Sequence, residues 1–175
     1  MSYSTLDIVR IADRQVKKYK TRDPYELAAA LGIDAVVERG FRLQRGAYIS
    51  IMRNRFIFVK KDLPEYMKRI VIWHELGHDT LHREEARASG GFQEFKLFET
   101  LGSRMEYQAN IYAAQISLPD DEILEYIEEG YDLQQIASFM KTDVNLVALK
   151  NDALIAQGFR FRRQEHTDAF LRYDR

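Results

Sequence analysis

Ile72-Trp73-His74-Glu75-Leu76-Gly77-His78 is the stretch that decides how the rest of the chain is read. It holds His-Glu-x-x-His inside a segment of helical periodicity, since Met67, Ile70 and Val71 recur at helical spacing and lead into His74 and His78. Residues four apart on a helix stand one above the other, so the two imidazoles converge on one point. Glu75 is turned about 100° around the axis. It is badly placed as a third ligand, yet it reaches a water held at that point. Two neutral nitrogens and one carboxylate are what is needed to bind a zinc ion and take a proton from water on it, the chemistry of peptide-bond hydrolysis. A histidine pair can also face solvent or simply pack. A buried pair beside a carboxylate needs a partner, and a metal is the most economical one.

Upstream, Asp62-Leu63-Pro64-Glu65 predicts the start of this helix, with Asp62 at the N-cap and Pro64 in the first turn. Before it, Ala35-Val36-Val37-Glu38, Ala47-Tyr48-Ile49-Ser50-Ile51 and Phe56-Ile57-Phe58-Val59 are rich in β-branched and aromatic residues. They predict a three-stranded sheet, its last pair a hairpin turning at Arg53-Asn54. An edge strand next to a metal can pair with an extended peptide, and Gly46 to Ile51 is the candidate. Earlier still, Leu6, Ile8, Val9, Ile11, Ala12 and Val16 predict an amphipathic helix. Asp23-Pro24 opens a second helix that Gly32 closes.

The 175 residues suffice for one domain with a real core. Basic and acidic residues balance, 26 against 27, so no global field marks a nucleic-acid binder. The absence of cysteine excludes disulfides, thiolate zinc sites and a cysteine nucleophile. The N-terminal residues lack the apolar run of a secretory signal and nothing approaches membrane-spanning length, so the expected compartment is the cytoplasm.

Downstream, His82 follows His78 by four residues. A helix climbs about 12 Å over eight residues, so His74 and His82 cannot share one ion. His82 is expected behind the ligands or in a structural role. Residues Arg83 to Ser103 predict a loop with a short helix, hinged at Ser89-Gly90-Gly91, serving as a lid or as a surface insertion. A hydrolytic zinc keeps three protein donors and one open position. The third donor is Glu99, 21 residues past His78, or Glu106, 28 past it. Glu106 is favoured because it opens a helix, Arg104 to Ser117, whose one face carries Glu106, Asn110, Ala113 and Ser117. Asn110, one turn on, is placed to hydrogen-bond a ligand histidine.

His74-Glu75-Leu76-Gly77-His78-x-x-Leu81-His82, Glu106-x-x-Ala109-Asn110-x-x-Ala113-Ala114 and Leu118-Pro119 together resemble the ImmA/IrrE family of metallopeptidases, from the first helices to about Gly158. The lack of a sensor domain is closer to the ImmA type. The resemblance implies an α+β, zincin-like fold, mostly helical with a small three-stranded sheet before the metal helix. It implies Zn2+ held by His74, His78 and Glu106, with Glu75 as general base. It also implies a role: cleavage of a helix-turn-helix repressor of a phage, mobile element or stress regulon. Trp73 departs from the small residue expected before the first histidine. For the oxyanion partner, Tyr107, Tyr112, His82 and His166 are all candidates.

Leu133 to Met140 and Val144 to Lys150 also resemble a helix-turn-helix, yet Lys150 is the second helix's only cation, flanked by Asp143 and Asp152. DNA binding is therefore not expected. The expected organisation is a metallopeptidase domain at 1–130, a helical extension packed on it at 131–158, and a tail at 159–175 with solvated arginines. The alternative to an enzyme is a protein that inactivates a repressor by capture, its metal purely structural.

Overall fold

Short polar side chains decide where the first helices begin. Ser4 and Asp7 form a capping box that starts α1 (Thr5–Tyr19), and the Asp23 carboxylate accepts from the N–H groups of Tyr25 and Glu26 to start α2 (Pro24–Leu31). Gly32, at φ 76°, ends α2 in the left-handed conformation that glycine enters without steric penalty. The structure, a computed structural model, describes residues 3–42, 44–88 and 103–160.

Three strands follow: β1 (Ala35–Arg39), β2 (Gly46–Ile51) and β3 (Asn54–Lys60). The sheet order is β1-β3-β2, with β1 parallel and β2 antiparallel to β3. The hairpin turns one residue earlier than its sequence predicts, at Met52-Arg53, with Met52 at φ 57° and Asn54 already paired to Ile51. β2 is thus an edge strand. The Arg45 carbonyl accepts from the Lys60 N–H, and antiparallel bonding alternates, so Gly46, Tyr48 and Ser50 turn their peptide groups away from β3.

The long helix α3 (Glu65–Leu81) carries the histidines. Its N-cap is Pro64 rather than Asp62, with no side-chain cap. A residue before proline is pushed out of the helical region, so Leu63 cannot join the helix and Asp62 lies beyond reach. Helix α4 (Arg83–Ala88) packs against β2 and α3; the remainder of the expected loop, including Glu99, lies outside the described residues. Then come α5 (Ser103–Ser117), α6 (Asp120–Glu128), α7 (Leu133–Phe139) and α8 (Val144–Ala156).

Helix α5 is the centre of the assembly, packed against α3, α1 and α8. Ala109, Ile111, Tyr112, Ala113, Ala114 and Ile116 are all fully buried, which is why this helix is built from small and apolar residues. One core runs from Ile8 and Leu27 through Tyr48 and Ile57, across Ile70 and Leu76, to Leu146 and Leu154. Each such fully buried aliphatic chain stabilises the fold by about 1.5–3 kcal/mol. Lys150 does not face solvent: its ammonium donates to Gln115 Oε1 (2.7 Å) and Asp120, and the residue is fully buried. No helix among the described residues is long and apolar enough to cross a membrane.

Candidate metal centre

Gly77 brings the two site-bearing helices together. A Cβ there would sit 3.0 Å from the Ala109 backbone and 3.2 Å from the Tyr112 ring, so α3 and α5 touch where α3 has no side chain. The close approach falls at Ala109, on the flank of the Glu106/Asn110 stripe. It sets the Glu106 carboxylate over the histidine pair, with His74, His78 and Glu106 all buried.

Three ligand atoms then meet. His74 Nε2 lies 3.0 Å from His78 Nε2, 3.3 Å from Glu106 Oε2 on one side, and His78 Nε2 is 3.4 Å from Glu106 Oε1 on the other. Among the described residues these three form the group able to hold a metal ion, and Glu99 lies outside them. Zinc bonds of about 2.0–2.1 Å in a tetrahedron give donor separations of roughly 3.3 Å. The observed spacings match.

The donors behind the rings sharpen that fit. His74 Nδ1 is 2.7 Å from Asn110 Oδ1, an acceptor, so the ring proton sits on Nδ1 and Nε2 presents a lone pair. His78 turns its Nδ1 to His82 Nδ1 at 3.1 Å, and His82 Nε2 meets Gln108 Oε1 at 2.9 Å. His82 is therefore behind the pair and not a third nitrogen ligand, as its spacing implies. Two lone pairs and a carboxylate facing one another in the interior repel unless a cation lies between them.

Burial would lower the His74 imidazole, yet Glu106 beside it raises it, so without an ion between them these groups compete for a proton. Burial alone would raise the Glu106 carboxyl, yet the His78 and His74 imidazoles hold it far below the ordinary carboxylate range. Burial lowers His78 to about 4, against the pull of Glu106. Burial raises Glu75 to about 8, with His74 and the Tyr48 backbone N–H opposing and Glu106 adding to the rise. Glu75 is also pressed by β2: a Cβ on Gly46 would come 2.3 Å from Val71 Cγ1 and 2.8 Å from Glu75 Oε1, so only glycine fits beside this carboxylate.

Behind α3 lies a second polar set that the sequence did not reveal. Asp79, fully buried, accepts from Tyr48 Oη (2.7 Å), from Arg55 through both oxygens (3.0 and 2.9 Å) and from Arg83 (2.7 Å). It bolts α3 to β2 and β3 on the residue next to His78. Arg83 stands four residues on, at helical spacing, but Arg55 and Tyr48 lie 24 and 31 residues away and leave no local pattern. Trp73 donates from Nε1 to the Arg22 carbonyl (2.9 Å) and its ring lies under the Arg69 guanidinium. Of the oxyanion candidates, Tyr112 is fully buried with its hydroxyl on Gln15, His82 is engaged as described, and His166 lies outside the described residues.

Comparison with known proteins places this geometry in a family. The IrrE N-terminal-like domain matches residues 28–150. A protein of Bacillus phage phi105 named uncharacterized immunity region protein 2 is 33% identical over 139 residues, covering 79% of this chain and 85% of its own length.

Proposed function

The chain belongs to the peptidase family of the IrrE N-terminal-like domain, and from that premise we propose that it is a zinc-dependent endopeptidase. Its proposed substrate is a specific protein, a helix-turn-helix transcriptional repressor of a phage, mobile element or stress regulon. The observation that carries the proposal is the convergence of His74, His78 and Glu106 at tetrahedral spacing, with buried Glu75 on the adjoining residue. A relative named for a phage immunity region supports a repressor-related partner.

In this reading His74, His78 and Glu106 hold Zn2+, while Asn110 and His82 orient the two imidazoles from behind. The bound ion lowers the pKa of water to about 7 and polarises the scissile carbonyl. The chain supplies the rest. Glu75 is the general base: as the carboxylate it accepts the water proton and then releases it to the leaving amine. The Tyr48 N–H, donated to that carboxylate, holds it in place. The outward edge of β2, Gly46 to Ile51, runs beside Glu75 at its Gly46 end and offers its peptide groups other than the Tyr48 N–H to an extended stretch of substrate. Residues 1–130 form the metallopeptidase domain and 131–158 a helical extension against the helix that carries Glu106. DNA binding has no place in the proposal, because Lys150 is buried. The protein works in the cytoplasm.

The test is Glu75→Gln, assayed with purified zinc-loaded chain and helix-turn-helix repressors of the same genome. Wild type should yield two discrete fragments, and the variant none while still binding zinc. Derepression by Glu75→Gln equal to wild type, with the repressor intact, would overturn catalysis in favour of capture.

A further inference from the structure

We propose that Gln108 is a positioning residue for the metal centre: clamped by the backbone of Tyr3, its carboxamide fixes the tautomer of His82 and thereby bares His78 Nε2. The inference rests on the reading of His78 as a metal ligand and adds how its donor atom is selected.

The chain of constraints starts at a peptide carbonyl. Gln108 Nε2 donates to the Tyr3 carbonyl at 2.7 Å, and a carbonyl only accepts, so the carboxamide cannot turn over without losing this bond. Gln108 Oε1 must then face His82 Nε2, which it does at 2.9 Å. An amide oxygen only accepts, so the proton of neutral His82 belongs on Nε2 and its Nδ1 is a lone pair. The 3.1 Å contact from that Nδ1 to His78 Nδ1 needs one proton, and His78 must supply it. A neutral imidazole carries one N–H, so His78 Nε2 is left bare, 3.4 Å from Glu106 Oε1 and 3.0 Å from His74 Nε2.

The relay is sealed from water. His78 and His82 are each 1% exposed and Gln108 is 4% exposed, so solvent cannot stand in for a missing partner. The opposite tautomer of His82 would set its Nε2 lone pair against Gln108 Oε1. Asn110 performs the same selection for His74 directly. The difference is reach: the His78 relay ends on the chain's third residue, 105 positions before Gln108, so the segment leading into α1 takes part in preparing the metal centre.

The experiment measures zinc affinity of the metal-free chain by chelator competition, and ring-nitrogen chemical shifts by NMR. In wild type without metal, His82 should be protonated at Nε2 and His78 at Nδ1. Gln108→Leu, close in size and without an acceptor, should weaken zinc binding about 10- to 100-fold, the usual effect of removing a partner behind a ligand histidine. It should also let His82 populate both tautomers. Gln108→Glu keeps an acceptor toward His82 but sets a second acceptor against the Tyr3 carbonyl, so it should keep the Nε2 proton on His82 and recover part of the affinity lost in Gln108→Leu, which a purely space-filling role would not do. Wild-type His82 protonated at Nδ1, or unchanged zinc affinity in Gln108→Leu, would overturn the inference. The metal-free tautomers decide the matter even if Gln108→Leu does not fold. Failure of wild type to bind zinc would count against the metal reading, while the ring-nitrogen shifts would still report on Gln108.

Discussion

Helix α5 carries two buried polar clusters, one near each end, and they differ in who supplies the cation. Toward its C-terminus, Gln115 and Asp120 gather around the Lys150 ammonium, with Asp13 bonding Gln115 from α1 at 2.8 Å. Toward its N-terminus, Glu106 gathers with the bare nitrogens of His74 and His78, and no ammonium or guanidinium is among the three. A set of acceptors that the chain completes itself is structural. A buried set without a cation of its own is compatible with a guest ion.

The sharpest way to separate the two is by chemistry against stability. Glu75→Gln should slow peptide cleavage by about 10²- to 10⁴-fold, the span of a general base, with thermal stability unchanged. Peptide cleavage assays and melting curves on the same samples check it. Next comes the guest ion: zinc at a hundredfold excess over its dissociation constant should stabilise the fold by about 2.7 kcal/mol. Glu106→Gln should abolish that stabilisation, read as the zinc-induced shift in melting temperature. Lys150→Met should do the reverse, costing about 1–3 kcal/mol in urea unfolding by taking the donor from Gln115 Oε1 and the cation from Asp120, while zinc affinity stays as in wild type.

The smallest effect is in the acid range. Burial would raise the Asp120 carboxyl, but the Lys150 ammonium holds it below its ordinary 3.8. A carboxyl lowered in the fold contributes stability above its unfolded value, lost as pH falls through the folded one. Wild type and Lys150→Met should therefore converge in stability as pH drops below 3.8. Urea melts at neutral and acid pH give the comparison.

What could be read from the sequence follows from distance along the chain. His74, Glu75 and His78 lie within one helical turn and a third, and Glu106 with Asn110 within another, so periodicity alone aligned them. The sheet was legible because β-branched runs and Gly46 mark it. Gln108 was not, because its partners are His82 on another helix and the Tyr3 carbonyl, neither of which leaves a pattern near residue 108. Asp79 escaped for the same reason. Lys150 read only as the lone cation of a helix flanked by Asp143 and Asp152, and nothing near it in sequence points to Asp120 and Gln115, which enclose it. The Asp62 cap failed locally, through the constraint that Pro64 places on Leu63.

The central claim, that this chain holds one catalytic zinc between α3 and α5, is tested most directly by metal analysis joined to anomalous diffraction at the zinc edge. One zinc per chain is expected, with the anomalous peak bonded to His74 Nε2, His78 Nε2 and Glu106. Metal-free protein that takes up no zinc, or a peak at other residues, would contradict it.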